Sequence, residues 1–391
     1  MTRPSLEDLL NAALDDRRAN LQLRQRRVVT PIDSVHVEIA GRRFVNFCSN
    51  NYLGLTHHPR VIAAVQRATQ SHGAGAAASP LISGYTDLHA SAERALAAWK
   101  GTESAVLLPS GYQANHAAIQ TIAGAAEARG TRVRFLLDKL AHASLIDAVR
   151  GSGLPFRVFG HDYFNKLDRL LEQSDADETQ VVVSESIFSM DGTASPLAEM
   201  AALKQRRPFV LLLDEAHGSG VYGRHGAGLA AELRVTDAVD VFVVTLSKSL
   251  GCAGGAVCAS RTFCDALTNF GRAYVYSTSV PPSAAAACEM AIEVMTHEPQ
   301  RQERVRALAR RVRQAVGGAQ QTDCPIIPVF LGDESAAIRA GEQLYEKGML
   351  VLPVRPPTVP RGKSRLRVTL SCDHSDEEVE QLIAGLRAVI G

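Results

Sequence analysis

Lys248 stands where a charged residue is seldom found. The run Asp240-Val-Phe-Val-Val-Thr-Leu-Ser-Lys248 passes from an apolar stretch, Val241 to Val244, through Thr245 and Ser247 to an amine. The apolar part reads as a strand buried on both faces. Two readings are open for the lysine. Either the strand has ended and the amine points to water, or desolvation lowers the amine enough for it to attack a carbonyl as a Schiff-base lysine. Other chemistry-bearing residues hold comparable places. Asp214-Glu-Ala-His217 follows the apolar run Phe209–Leu213, Glu185 follows Val181–Ser184, and His142 comes shortly after Arg134–Asp138. Ser110-Gly111 follows Ala105–Leu108 and opens a helix, where free N–H groups and the positive dipole end receive an anion.

The elements that must position these residues alternate along the chain. Strands are expected at 105–108, 134–138, 156–159, 181–184, 209–213 and 241–244. Helices are expected at 143–150, 167–173, 197–205 and 229–233. Apolar strands separated by helices imply an α/β fold, a mostly parallel sheet with helices on both faces, and a ligand site beyond the carboxyl ends of the strands. Ahead of it, Ser5-Leu-Glu-Asp8 resembles a capping box opening a helix that is expected to continue into Arg17, Arg18, Arg24, Arg26 and Arg27. Val35–Ile39 and Arg43–Phe47 form a hairpin around Ala40-Gly41, followed by the polar loop Cys48–Leu55. A helix at 58–71, the small-residue loop Gly73–Tyr85 and a helix at 88–99 lead into the first sheet strand.

After Tyr276–Pro282 the pattern changes. Helices at 284–294 and 305–316 precede strands at 326–331, 350–354 and 366–370, with a helix at 336–347 and a last one capped by Ser375 and Glu378. The organisation expected is an N-terminal helix and strand arm over 1–50, a large domain over 51–289, and a smaller C-terminal α+β domain over 290–391.

Bulk properties narrow the function. The chain has 391 residues, is 21% charged and carries a formal net charge of +1, without the basic excess that nucleic acid or a membrane surface demands. Its seven cysteines include no Cys-x-x-Cys pair, which argues for a reducing, cytoplasmic setting and against a disulfide framework or a zinc cage. No signal or transit peptide and no membrane span is read. Asp214-x-x-His217 could be half a metal site but has no third ligand at useful spacing, so no metal is expected. Gly220-x-x-Gly-x-x-Gly-x-Gly228 lacks the strand–Gly-x-Gly-x-x-Gly–helix context of a dinucleotide site. Gly218-Ser-Gly220 is not a hydrolase elbow. The remaining histidines read as structural or surface residues.

An anion seat, a carboxylate and an amine together match one cofactor, pyridoxal 5′-phosphate. The helix end at Ser110 takes its phosphate, Lys248 bonds its aldehyde, and Asp214 keeps its pyridine nitrogen protonated. His217 can then steer the ring oxygen and His142 can stack on the ring, while Thr245 and Ser247 offer hydroxyls near the lysine.

The chain is similar to the α-oxoamine synthases, fold-type I enzymes that use this cofactor. The likeness rests on Ser49-Asn-Asn-Tyr-Leu-Gly-Leu55, Ser83-Gly84, Leu140-Ala-His-Ala-Ser144, Ser189-Met-Asp-Gly192, Asp214–His217, Gly220–Gly228, Thr245-Leu-Ser-Lys-Ser-Leu-Gly251 and Gly254-Gly255. Arg355-Pro-Pro-Thr-Val-Pro360, Arg365-Leu-Arg-Val-Thr-Leu370 and Tyr276–Pro282 look like the branch that condenses L-alanine with a pimeloyl thioester, of coenzyme A or a carrier protein, for biotin. The resemblance implies Lys248 as the Schiff-base lysine, Asp214 as the partner of the pyridine nitrogen, His142 stacked on the ring, and His217 and Ser189 beside it. It implies phosphate contacts from Ser110, Gly111, Tyr112 and Thr245, with Ser277 supplied by the second subunit of a homodimer. It also implies Arg367 on the amino-acid carboxylate, Asn50 beside it, Thr358 near the acyl chain and Arg24 toward an anionic substrate group. Ala76-Ala77-Ala78 and Pro80 replace a more Gly/Ser-rich pattern that often carries Arg, and Asn51 replaces a frequent Asp. The first change bears on acyl fit. Sibling synthases using glycine or serine with another thioester, and aminotransferases or lyases of the same fold, are the alternatives.

Overall fold

The computed structural model describes residues 5–161, 164–317 and 322–390. Ser5 caps the first helix, α1 (Leu6–Ala19): its hydroxyl accepts the Asp8 N–H at 3.1 Å, and Asp8 Oδ2 accepts the Ser5 N–H at 3.0 Å. This helix stops earlier than expected. Asn20 caps it, Leu21 takes φ +54°, and the Gln22 N–H turns back to the Arg17 carbonyl. Arg24, Arg26 and Arg27 therefore lie on irregular chain rather than on a helix. The short strand β1 (Thr30–Pro31) pairs with β2 (His36–Ile39), which forms the expected hairpin with β3 (Arg42–Asn46).

Next come α2 (Pro59–His72), α3 (Asp87–Lys100), β4 (Ser104–Leu108), α4 (Gly111–Arg129), β5 (Arg132–Asp138), α5 (Ala143–Gly151) and β6 (Phe156–Phe159). Then follow α6 (Phe164–Glu172), β7 (Glu178–Glu185), α7 (Leu197–Arg206), β8 (Val210–Asp214), α8 (Leu229–Glu232), β9 (Val241–Thr245) and β10 (Gly255–Ala259). These strands make one seven-stranded sheet in the order β4-β10-β9-β8-β7-β5-β6. From β9 to β6 every pairing is parallel. Val181, Val183, Leu212, Val241 and Val243 face one apolar cluster, and Val182, Leu211, Leu213, Phe242 and Val244 face another. That alternation is the two-residue strand period dividing each strand between two helix-covered faces.

One strand of this sheet is additional to those expected. β10 runs antiparallel between β9 and β4, with Gly255 opposite both Thr245 and Leu108. Its residues Gly255-Ala-Val-Cys-Ala259 are small, which suits a position closed in by neighbours on both edges and both faces.

The chain then forms α9 (Arg261–Phe270), α10 (Arg272–Val275), α11 (Pro282–His297), α12 (Pro299–Ala315), β11 (Ile326–Gly332) and α13 (Glu334–Glu346). It ends with β12 (Met349–Leu350), β13 (Leu352–Val354), β14 (Ser364–Thr369) and α14 (Asp376–Ile390). The single strand expected over 350–354 is divided. β12 pairs in parallel with β3 in the arm sheet, while β13 pairs antiparallel with β14 in the three-stranded sheet β11-β14-β13. Buried Val351 is the step between the two sheets. The arm hairpin and the C-terminal part are thereby joined by backbone pairing. No helix among the described residues is long and apolar enough to cross a membrane.

Candidate active site

The loop from Leu246 to Gly254 joins β9 to β10 and is closed by the Leu246 N–H to Gly254 O and the Cys252 N–H to Leu246 O, both at 3.0 Å. It presents Lys248 beside His217, with Nζ 2.8 Å from Nε2. Burial lowers the Lys248 amine to about 8; the Asp214 and Glu185 carboxyls pull it back up, and Arg367 pushes it down. Burial, then the Lys248, Arg367 and His142 charges, hold His217 well below the usual histidine range, so its ring is neutral. With the lysine donating to Nε2, the ring proton sits on Nδ1 and is donated to the Tyr52 hydroxyl at 2.7 Å. Tyr52 donates in turn to Asn50 Oδ1 at 3.1 Å, which also accepts from Arg367 Nη2 at 3.2 Å. Arg367 Nε donates to the Ser189 carbonyl at 2.7 Å and Nη1 to the Thr369 hydroxyl at 3.1 Å. One continuous set of hydrogen bonds thus links the amine to the arginine fork.

A second set fixes the carboxylate. Asp214 closes β8 opposite Glu185, the last residue of β7. Its Oδ1 accepts the Ala216 N–H and its Oδ2 accepts from Asn115 Nδ2, each at 2.8 Å. Asn115 also donates to the Ser144 hydroxyl at 2.9 Å, which stands 2.8 Å from His142 Nδ1. His142 is the N-cap of α5, and its own backbone N–H donates to Glu185 Oε1. Burial first, and then the Asp214 charge, raise the Glu185 carboxyl well above its usual range. Burial lowers His142.

The anion seat is the first turn of α4. Ser110 caps that helix by accepting the Gln113 N–H at 3.1 Å, leaving the Gly111 and Tyr112 N–H groups without a partner inside the helix. A Cβ at Gly111 would collide with the Thr245 hydroxyl, and one at Gly255 with the Ser110–Gly111 backbone. Three segments therefore meet with no room for side chains, and the Thr245 hydroxyl lies at the mouth of the helix. Donors for a phosphate, a buried carboxylate and a lysine that titrates low occupy one edge of one sheet. This donor set fits pyridoxal 5′-phosphate.

Not every anticipated residue joins that edge. The Tyr112 hydroxyl turns outward to Asp147 at 3.0 Å, so only its backbone N–H faces the seat. Ser189 contributes its carbonyl to Arg367. Ser277 accepts from Gln113 Nε2 at 3.1 Å within its own chain. Arg24 and Thr358 meet each other instead, Nη2 to hydroxyl at 3.0 Å, on an exposed rim. The Ser279 N–H donates to Ala78 O at 3.1 Å, so the Ala76–Pro80 and Tyr276–Pro282 stretches pack together. Tyr52, Asn115 and Ser144 were not anticipated as site residues. Tyr52 and Ser144 lie inside the stretches Ser49–Leu55 and Leu140–Ser144, and Asn115 in the helix after Ser110, but the His217 partner of Tyr52 and the Asp214 partner of Asn115 are distant in sequence.

The family profile described as "Aminotransferase class I and II" matches residues 42–386. Among curated proteins, the chain is 38% identical to an 8-amino-7-oxononanoate synthase of Cellvibrio japonicus, over 98% of this chain and 96% of that protein. It is 40% identical to an 8-amino-7-oxononanoate synthase of Anaeromyxobacter dehalogenans, over 100% and 97%. Among solved structures, Sphingomonas wittichii serine palmitoyltransferase superposes with a TM-score of 0.92 at 31% identity, covering 99% of this chain and 98% of that one.

Proposed function

We propose, for a chain that belongs to the aminotransferase class I and II family and within it to the α-oxoamine synthases, that it condenses L-alanine with a pimeloyl thioester. Carbon dioxide and free thiol leave, and 8-amino-7-oxononanoate is formed for biotin biosynthesis. Pyridoxal 5′-phosphate, when bound, supplies an aldehyde for an amine and a sink for the electrons of an amino-acid α-carbon. The residues assigned to it are Lys248, Asp214, His142, His217, Ser189, Ser110, Gly111, Tyr112, Thr245 and Ser277. We take the division into an arm to residue 50, a large domain to 289 and a small domain beyond as the working one.

The observation that carries this reading is the hydrogen-bonded link from Lys248 to Arg367. A carboxylate held on the Arg367 fork places its α-carbon toward the lysine. Free Lys248 Nζ, lowered to about 8, is a base that takes the α-proton near neutral pH. His217 Nε2 accepts from Nζ and fixes where that nitrogen points. Asp214, whose oxygens accept from the Ala216 N–H and from Asn115 Nδ2, is assigned to the pyridine nitrogen. Arg24 and Thr358, joined to each other on the rim, are assigned to the acyl partner. The apolar residues Leu81, Ile82 and Tyr276 are 52%, 81% and 74% exposed. They are assigned to a homodimer interface, where a second copy covers the site. Seven free thiols accord with a cytoplasmic setting.

The test measures thiol release across alanine, glycine and serine against pimeloyl, acetyl, succinyl and long-chain thioesters of coenzyme A and carrier protein. Alanine with a pimeloyl thioester is expected to dominate, and Lys248→Ala to abolish both turnover and the bound-cofactor absorbance. Release only with glycine or serine would assign a sibling reaction. Near wild-type turnover by Lys248→Ala would remove the lysine from its role.

A further inference from the structure

The loop that brings Ser189 to Arg367 has a second face. Behind it lies a cleft of 430 Å³ between the Tyr222–Leu233 stretch and α12, walled by Ile187, Ala194, Leu229 and Leu233. Gly192 of that loop, at φ +63°, rests so close to the Ile326 carbonyl that any side chain would collide with it and crowd Arg313.

Arg306, Arg310 and Arg313 stand three and four residues apart on α12 and so share one face. Two of them are neutralised. Arg306 bonds Glu232 through Nη1 and Nη2 at 2.9 and 3.0 Å and Asp323 through Nε at 2.8 Å. Arg310 Nη1 reaches the same Asp323 oxygen at 2.8 Å. Arg313 is not. It is 5% exposed and forms no ion pair among the described residues. Its Nη2 donates to the Cys324 carbonyl at 3.0 Å and to the Ile326 carbonyl, and its Nε has no partner. Burial lowers its pKa, against the pull of Cys324, Tyr222 and Asp323. Buried charges are ordinarily paired, because a desolvated guanidinium without an anion is costly. Two further buried groups here lack hydrogen bonds of normal geometry: the Tyr222 hydroxyl, beside Asp323, and the Thr193 hydroxyl, next to Ala194.

We propose that this cleft binds a small aliphatic monocarboxylate, its headgroup on Arg313 and its hydrocarbon body on Ile187, Leu229 and Leu233. The partnerless Nε–H of Arg313 leaves a charge-assisted donor for a carboxylate, and the apolar walls match a short chain. A doubly charged phosphate would face Asp323 and Glu232 as well, so one negative charge is the better complement. Nothing in this assignment depends on the reaction proposed for the active site.

The test titrates hexanoate into the cofactor-loaded enzyme by calorimetry, with L-alanine saturating so that Arg367 is occupied. Saturable binding is expected with one site per chain, and hexan-1-ol should bind about tenfold more weakly because it lacks the charge-assisted hydrogen bonds. Arg313→Met should weaken hexanoate by about tenfold or more. Because that variant removes a buried clamp on β11, Leu233→Asp serves beside it. That rim residue is 42% exposed, and a carboxylate there should also weaken hexanoate by about tenfold through like-charge repulsion. Unchanged binding in Leu233→Asp, equal binding of hexan-1-ol, or no saturation of the wild type by about 10 mM, ten times a weak millimolar Kd, would each overturn the proposal.

Discussion

At the scale of single residues, the site is a set of groups whose charges are set by burial. Attachment of the cofactor needs the neutral amine, and Lys248 is lowered to about 8. The rate at which the cofactor-free protein takes up pyridoxal 5′-phosphate should therefore climb about tenfold per pH unit below 8 and level off above it. An ordinary lysine would still be climbing at about pH 10. Stopped-flow absorbance across pH at constant ionic strength separates the two. Tyr52→Phe removes the hydroxyl between His217 and Asn50 and leaves the His217 Nδ1–H buried without an acceptor. It should cost about 1–3 kcal/mol in urea unfolding and weaken L-alanine about tenfold in a spectral titration. A variant with wild-type stability and alanine affinity would show that the link is dispensable. Lys248, Asp214 and Arg367 were legible in the sequence because each belongs to a motif or a strand end. Tyr52 and Asn115 were not, because their partners lie 165 and 99 residues away.

At the scale of elements, the stretch after β8 is held by one buried ion pair. Lys100, the last residue of α3, bonds Glu215 and the Ala227 carbonyl, and Glu215 Oε1 accepts the Ala230 N–H at 3.0 Å at the start of α8. Gly228 has no Cβ that could strike Glu215. Lys100→Met strands a carboxylate in the core and should cost about 3–5 kcal/mol, read from urea midpoints. Adding Glu215→Gln should recover part of that loss, and an unaffected single variant would contradict this account of the pair. The strands were legible from their apolar runs. β10 was not, since Gly255, Ala256 and Ala259 lack the β-branched signal of a strand. The end of α1 was marked only by Arg17, Arg18 and the cap Asn20, a stop signal that the expected helix overran. The strand expected over 350–354 was read at the right place, but its division between two sheets depends on partners in the arm and in β14.

At the scale of the whole molecule, a second copy is the occupant proposed for the exposed Leu81–Ile82 and Tyr276 surface. Light scattering should give twice the 42.0 kDa chain mass at micromolar concentration, and Ile82→Asp should shift it toward one chain. A wild type at single-chain mass would withdraw the shared site. The alternating strands and helices were enough to indicate the α/β class, because that pattern has few packed solutions. How the C-terminal part docks was not legible. Beside the β12–β3 pairing and a shared apolar cluster, the docking includes single backbone bonds such as the Thr369 N–H to Phe47 O and the Cys372 N–H to Tyr52 O, each at 2.8 Å. Glu185 carries one last implication. Its Oε1 accepts the His142 N–H while Asp214 stands opposite it at the end of the neighbouring strand, so two carboxyls and the Arg367 guanidinium flank one amine. An amino acid arrives as a zwitterion, and the cation that can meet its carboxylate is Arg367, across the hydrogen-bonded link from Lys248. The side from which the α-proton is presented then follows from which groups the two ends of the zwitterion can reach.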